Sequence, residues 1–125
     1  LTKSGVDTYL FLCFAYADAV DINGSEFLAF DVKIPENQPC NKTLLVVLRD
    51  IEGVEYIADT HIMLNDPFEQ RVFVSLNQFE RAPWCPIKDK TLNLQKINEL
   101  RIGWGGYMGT ENEAVVFNTS APCVI

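Results

Sequence analysis

The chain lacks the residues on which most catalytic and metal sites depend. It contains one histidine, His61, and its four cysteines lie far apart, with none in the CxxC spacing typical of zinc sites. The GxSxG, P-loop and HExxH motifs are all absent. His61 has no serine or cysteine motif beside it, so we interpret it as a strand residue at the surface. These absences argue against an enzyme and against a zinc protein.

Basic residues and long apolar runs are also scarce. Lysine and arginine number 10 against 17 aspartates and glutamates, which gives a net charge of −7. Nucleic acids and anionic membrane surfaces select basic proteins, so we expect neither as a partner, whereas a neutral ligand is not disfavoured. The longest apolar run, at 10–17, has the length of a strand and is shorter than the roughly 18 residues of a membrane span.

The cysteines leave two alternatives open. An even number of cysteines permits two disulfides in an oxidising compartment. The same residues are equally compatible with reduced, partly buried thiols that pack as small apolar groups. The four are Cys13, Cys40, Cys85 and Cys123.

The apolar residues that are present follow a period of two, or form short runs, along most of the chain. In the segment 43–50, Leu44, Val46 and Leu48 share one face of a strand and Arg49 lies on the other. Turn residues separate the runs. We predict strands at 9–16, 27–34, 43–49, 54–61, 70–76, 99–104 and 114–119.

This spacing predicts one all-β domain over residues 1–125, an antiparallel β-sandwich or jelly roll. Its core should contain the apolar face of each strand. The predicted core residues are Leu28, Phe30, Val32, Leu44, Val46, Leu48, Val72 and Val74. Arg49, Arg71 and Arg101 fall on the opposite faces. Their forked donors suit sugar hydroxyls, and salt bridges to the many carboxylates are the alternative.

Four segments follow one another in a recognisable order. They are the strand 27–33, the hairpin 44–59 with Arg49-Asp50 before the Gly53 turn, the strand and descending loop 72–84, and the crossing segment and strand 92–104. In this order they resemble the β-sandwich carbohydrate-binding modules of bacterial plant-cell-wall hydrolases, of the galactose-binding-like jelly-roll type. The segment 116–119 departs from the family, because such modules often carry an acidic pair there. The resemblance implies no cofactor other than a structural calcium ion, whose ligands the sequence does not define.

The resemblance implies a secreted, non-catalytic module. It would bind a plant cell-wall β-glucan, such as cellulose, mixed-linkage β-glucan or xyloglucan. Its partner in a larger modular enzyme would be the catalytic domain of a glycoside hydrolase, which it targets to the polysaccharide. A protein-interaction or structural β-sandwich without glycan binding is the alternative, and a fragment of a hydrolase is a third possibility.

Aromatic side chains are the candidate sugar-binding residues, since the apolar face of a sugar ring stacks on them. Trp84 lies in a proline-flanked loop, Tyr107 in the glycine-rich loop 105–112, and Tyr56 follows a hairpin turn. Trp104 alternates with core positions, and a bulge at a neighbouring glycine could turn it outward. Packing in the core is the alternative for each of these rings. The predicted ligand-binding residues are Tyr56, Trp84, Trp104, Tyr107, Arg49 and Arg101.

Overall fold

A computed structural model describes residues 8–38, 40–106 and 115–125 of the protein. Its regular structure in these ranges consists of β-strands and one short 3₁₀ turn, Leu76–Gln78. No helix in the described ranges is long and apolar enough to cross a membrane. The strands are β1 (Thr8–Val20), β2 (Phe27–Ile34), β3 (Thr43–Asp50), β4 (Glu55–Met63), β5 (Phe68–Ser75), β6 (Glu80–Arg81), β7 (Ile97–Gly106), β8 (Asn118–Thr119) and β9 (Cys123–Val124).

The strands form two antiparallel sheets. The first sheet has five strands in the order β1-β7-β3-β4-β6. The second has the order β5-β2-β8, and β9 also pairs with β2. The apolar faces of the two sheets meet in a common core. The predicted all-β sandwich of the jelly-roll type is confirmed.

All eight predicted core residues are buried, and Leu44 and Val46 are 0% exposed. The alternation on which that prediction rests is therefore correct along β2, β3 and β5. A smaller apolar cluster of Val54, Ala82 and Cys85 lies outside the main core. This second cluster attaches the loop 82–87 to the start of β4, and so it fixes one wall of the site described below.

The register of the five-stranded sheet aligns residues from four strands in one row. Phe11 on β1 pairs with Gly103 on β7, and Gly103 pairs with Leu45 on β3. Leu45 pairs in turn with Asp59 on β4. A Cβ atom at Gly103 would lie 1.8 Å from the carbonyl oxygen of Leu10, so only glycine lets β1 lie this close to β7.

The strands β6 and β9 were not predicted, and β3, β4, β5 and β7 differ from their predicted bounds by one or two residues. Two predicted strands differ more. β1 is longer than the predicted strand 9–16 and extends to Val20, through an irregularity between Ala15 and Val20 where the pairing with β7 shifts. At the other end of the chain, only residues 118–119 of the predicted strand 114–119 form a strand, and residue 114 lies outside the described ranges.

Where the structure defines their bonding, the cysteines are reduced as in the second alternative, but Cys13 and Cys123 are exposed and not partly buried. Cys13, Cys85 and Cys123 carry thiols. The Cys13 thiol donates a hydrogen bond to Glu99 Oε1 at 2.8 Å, and the Cys85 thiol donates to the Ile87 carbonyl oxygen at 3.5 Å. Cys40 is buried in the main core. Two disulfides would need all four cysteines, so that alternative does not describe this structure.

Candidate functional site

The candidate site lies on the face of the five-stranded sheet that points away from the core. We call it the outer face. Alternation along four neighbouring strands brings its side chains together, although they come from distant parts of the sequence. The outer face consists of Tyr9, Phe11 and Cys13 on β1, Glu99, Arg101 and Gly103 on β7, Leu45, Val47 and Arg49 on β3, and Glu55, Ile57 and Asp59 on β4.

Three aromatic rings meet at one side of the outer face. Tyr9 and Phe11 lie nearly parallel, with ring centroids 5.9 Å apart and planes within 5°. The ring of Trp84 lies 4.6 Å from that of Tyr9, at an angle of 55°, and 6.2 Å from that of Phe11, at 52°. The three rings form an aromatic corner, with the Tyr9–Phe11 surface as one wall and Trp84 as the other.

The loop that carries Trp84 is anchored on both sides of the ring. Ala82 and Cys85 are buried against Val54, and the Ala82 N–H donates to the Glu55 carbonyl oxygen at 3.0 Å. The indole N–H of Trp84 donates to Glu55 Oε2 at 2.5 Å. Because both the backbone and the ring are held, Trp84 is positioned before any ligand arrives.

A network of ion pairs lies beside the aromatic corner. Arg101 Nη1 contacts Glu55 Oε1 at 2.7 Å, while Arg101 Nε and Nη2 contact Glu99 Oε2 at 2.6 and 2.5 Å. Arg49 Nε lies 3.9 Å from Glu55 Oε1. Two guanidinium groups therefore face two carboxylates. The formal charges of the network cancel, and among the described residues Glu55 is the carboxylate that forms an ion pair with both arginines.

The surroundings of Glu99 and Arg101 shift the pKa of each group toward its charged form. Burial raises the pKa of Glu99, but hydrogen bonds from Cys13 and Arg101 and the charges of Arg101 and Arg49 lower it by more, so the net direction is downward. Burial lowers the pKa of Arg101, and the hydrogen bond and charge of Glu99 together with the charge of Glu55 raise it above its usual value.

The lowered pKa of Glu99 predicts how the stability of the fold depends on pH. A carboxylate whose pKa is lower in the folded state stabilises the fold above its ordinary pKa, and the stabilisation is lost as the pH falls through the folded value. The melting temperature of the parent should therefore exceed that of Glu99→Gln most at neutral pH, and the difference should shrink in the acid range. Glu36→Gln, which replaces an exposed carboxylate outside the network, is the control in the same thermal scans. If the difference in melting temperature between the parent and Glu99→Gln stayed constant from pH 7 into the acid range, the lowered pKa of Glu99 would be contradicted.

The structure brings three of the predicted ligand-binding residues together on the outer face. These are Trp84, Arg49 and Arg101. Tyr107 lies outside the described residues. Arg71, the third arginine assigned to a non-core face, lies on the second sheet and pairs with Asp31, with Nε 2.9 Å from Oδ1 and Nη2 3.3 Å from Oδ2. For Arg71 the salt-bridge alternative describes the structure.

Trp104 and Tyr56 lie away from the outer face, so the structure does not bring them together with Trp84, Arg49 and Arg101. Trp104 is 0% exposed and packs edge-on against Phe117 at 6.5 Å. The β1–β7 pairing runs without a shift past Trp104, so no bulge turns its ring outward. Tyr56 pairs with Leu48 and packs against the core, and the Arg81 guanidinium lies 5.5 Å from its ring centroid.

Sequence reasoning missed Tyr9, Phe11, Glu55 and Glu99 as members of the site. A signal for the first two was available, because alternation in the segment 9–16 places them opposite Leu10 and Leu12. Two aromatic residues on a non-core face are an unusual feature of a strand. Glu55 and Glu99 carried no signal, since carboxylates are abundant in this acidic chain.

The outer face also contains an open cavity of about 470 Å³, at the edge where β3 begins and β4 ends. Leu45 and Ile57 line it together with the polar side chains of Asp59, His61 and Glu80. The described residues contain no group of three or more His, Cys, Asp or Glu side chains arranged to hold a metal ion. A structural calcium ion stays a prediction from the resemblance.

The fold and the outer face together define a jelly-roll β-sandwich with an aromatic, ion-paired surface on one sheet. No model of a protein family matches the chain, and neither does any curated protein. Among solved structures, the chain is similar to a Family 11 Carbohydrate-Binding Module from Clostridium thermocellum, solved in complex with a β-1,3-1,4-mixed-linked tetrasaccharide. The TM-score is 0.67 at 16% sequence identity, over 99% of this chain and 72% of that one. This similarity shows a shared fold.

Proposed function

We propose that the protein is a non-catalytic carbohydrate-binding module whose outer face binds a neutral plant cell-wall β-glucan. The observation that carries the proposal is the aromatic corner of Tyr9, Phe11 and Trp84 beside the ion-paired arginines. Aromatic faces stack on the C–H faces of sugar rings, and polar groups at the margin take up the hydroxyls. The module of similar fold whose structure holds a mixed-linkage tetrasaccharide supports this choice of ligand class.

The arginines supply donors for sugar hydroxyls. The Arg49 side chain is 40% exposed, and its contact with Glu55 at 3.9 Å is longer than a hydrogen bond. Its guanidinium donors can therefore turn toward a ligand at little cost. Arg101 is held more tightly, by Glu55 and Glu99. Because these charges balance, the face suits a neutral glycan such as cellulose, mixed-linkage β-glucan or xyloglucan.

The carboxylates of the outer face are poorly suited to glycoside hydrolysis. A glycosidase needs a carboxylic acid with a raised pKa to protonate the leaving group. Here the pKa of Glu99 is lowered, and Glu55 is bound to Arg101. We therefore expect no release of reducing ends from any glucan incubated with the protein.

A binding module of this kind acts through the enzyme to which it is joined. Holding a tethered glycoside hydrolase on its polysaccharide raises the local substrate concentration without any contact in the active site. We propose this role for the protein, with a catalytic domain of the same extracellular enzyme as its partner.

A second candidate function is a protein-interaction sandwich, and one observation favours it. On the second sheet, Phe73 is 54% exposed and packs edge-on against Phe27, with ring centroids 6.2 Å apart. Ile125, 59% exposed, is hydrogen-bonded through its backbone to Phe27. Exposed aromatic residues of this kind are common in protein interfaces. The two functions use opposite faces of the sandwich, so substitutions on each face distinguish them.

Affinity electrophoresis against a panel of polysaccharides tests the proposal. We expect migration to be retarded by mixed-linkage β-glucan, xyloglucan or a soluble neutral cellulose derivative, with a Kd on the order of 10 μM to 1 mM because an open face leaves much of the sugar in water. Raising NaCl from about 0.05 to about 0.5 M should change the Kd less than about twofold, since salt screens only charged partners. Steep weakening by salt, or retardation by pectin alone, would contradict a neutral ligand.

A further inference from the structure

Glu55 occupies a place on the outer face that no other carboxylate shares. Its side chain is 11% exposed and meets three groups that come from different parts of the fold. Oε2 accepts the indole N–H of Trp84, while Oε1 lies 2.7 Å from Arg101 Nη1 and 3.9 Å from Arg49 Nε. One nearly buried carboxylate thus contacts the aromatic corner and both arginines.

From this geometry we infer that Glu55 is the specificity-determining residue of the outer face, which makes the face select neutral glycans over acidic ones. The inference rests on the proposed function and adds the class of glycan that is rejected. The acidic class consists of polysaccharides whose sugars carry carboxylates, such as polygalacturonate.

The charge balance explains the selection. Two guanidinium groups would attract a uronate carboxylate strongly, because the arginine fork binds a carboxylate through two parallel charge-assisted hydrogen bonds. Glu55 already binds Nη1 of Arg101 and faces Arg49. Glu99 binds Nε and Nη2 of Arg101. A uronate on Arg101 would have to displace an internal carboxylate, and a uronate on the more exposed Arg49 would lie close to Glu55, where like charges repel. A neutral hydroxyl meets no such repulsion.

The same carboxylate also orients Trp84, so its two roles must be separated. Replacing Glu55 with glutamine removes the charge but keeps an oxygen that can accept the indole N–H. In Glu55→Gln the indole N–H keeps that oxygen as its acceptor, and the amide nitrogen then faces the arginines, which lose one of their two negative partners. The ion-pair network changes from balanced to net positive, with two guanidinium groups beside one carboxylate.

The experiment measures binding of the parent protein and of Glu55→Gln to mixed-linkage β-glucan and to polygalacturonate, by affinity electrophoresis. We expect Glu55→Gln to gain at least about tenfold in affinity for polygalacturonate relative to its affinity for β-glucan, in a salt-dependent manner. The matched control is Glu52→Gln in the neighbouring turn. Glu52 pairs only with the exposed Lys90, at 3.2 Å among the contacts that the structure describes, and its substitution should leave both affinities unchanged.

The outcomes separate the inference from the proposed function. If the parent binds β-glucan and folded Glu55→Gln gains no affinity for polygalacturonate, the inference is overturned and the proposed function stands. If the parent binds no glycan, both are overturned. Should Glu55→Gln fail to fold, Glu99→Gln removes the other negative partner of Arg101, and the charge argument then requires that variant to gain polygalacturonate binding. Its failure to do so would overturn the inference.

Discussion

Replacing Trp84 with alanine should weaken binding of β-glucan by roughly thirtyfold, which corresponds to about 2 kcal/mol, and leave the fold intact. The substitution removes one wall of the aromatic corner, and with it the stacking surface held 4.6 Å from Tyr9. The backbone of the loop keeps its own anchor, because Ala82 and Cys85 remain buried against Val54. Isothermal titration calorimetry measures the affinity, and far-UV circular dichroism checks the fold.

The control for Trp84→Ala is Phe73→Ala. Phe73 is an exposed aromatic residue on β5 of the second sheet, whereas the outer face belongs to the first sheet. Its substitution should leave glycan affinity unchanged. If Phe73→Ala lost binding and Trp84→Ala retained it, the ligand would lie on the second sheet. If both variants bound like the parent, aromatic stacking at the corner would have no part in binding.

Replacing Val46 with aspartate should unfold the domain. Val46 is 0% exposed in the centre of β3, where it pairs with Ala58 on one side and Ile102 on the other. Both neighbours are apolar, so the new carboxylate would be buried without a partner. The cost of about 5 kcal/mol or more is comparable to the whole stability of a domain of this size. Urea unfolding followed by circular dichroism measures the loss.

The matched control is Val116→Asp, which introduces the same group at a position that is 58% exposed. This variant should remain within about 0.5 kcal/mol of the parent, because a solvated carboxylate carries no burial cost. A cooperative unfolding transition of Val46→Asp at the parent's urea midpoint would show that β3 is not at the centre of the core.

The core could be predicted from sequence because it depends on a local property. The period of two in β2, β3 and β5 determines which side chains point inward, whatever the strand order. The same period placed Arg49 and Arg101 on the opposite face. Strict alternation also assigned Trp104 to the core. The neighbouring glycines suggested an exception, a bulge that would turn its ring outward. The β1–β7 register is regular from Thr8 to Ala15, and Trp104 pairs with Leu10 within that part, so no bulge produces the exception.

The site could be predicted only in part because it depends on strand order. Trp84 meets Tyr9 and Phe11 because β1 lies in the same sheet as β4 and β6, with β7 and β3 between them. No local pattern in the sequence encodes that neighbourhood. The position of Tyr56 also depends on strand pairing. Its place just after the hairpin turn made it a candidate for ligand contact, whereas its pairing with Leu48 points it toward the core.

Chemical-shift mapping tests the central claim most directly. In ¹H–¹⁵N spectra of the labelled protein titrated with a mixed-linkage β-glucan oligosaccharide, the side-chain N–H signals of Trp84 and Arg101 and the backbone signals of Tyr9, Phe11 and Leu45 should shift together with one Kd. Signals of Phe73 and Asp31 on the second sheet should stay in place. Shifts confined to the second sheet, or an unchanged spectrum at millimolar ligand, would contradict the assignment of the outer face as a glycan-binding surface.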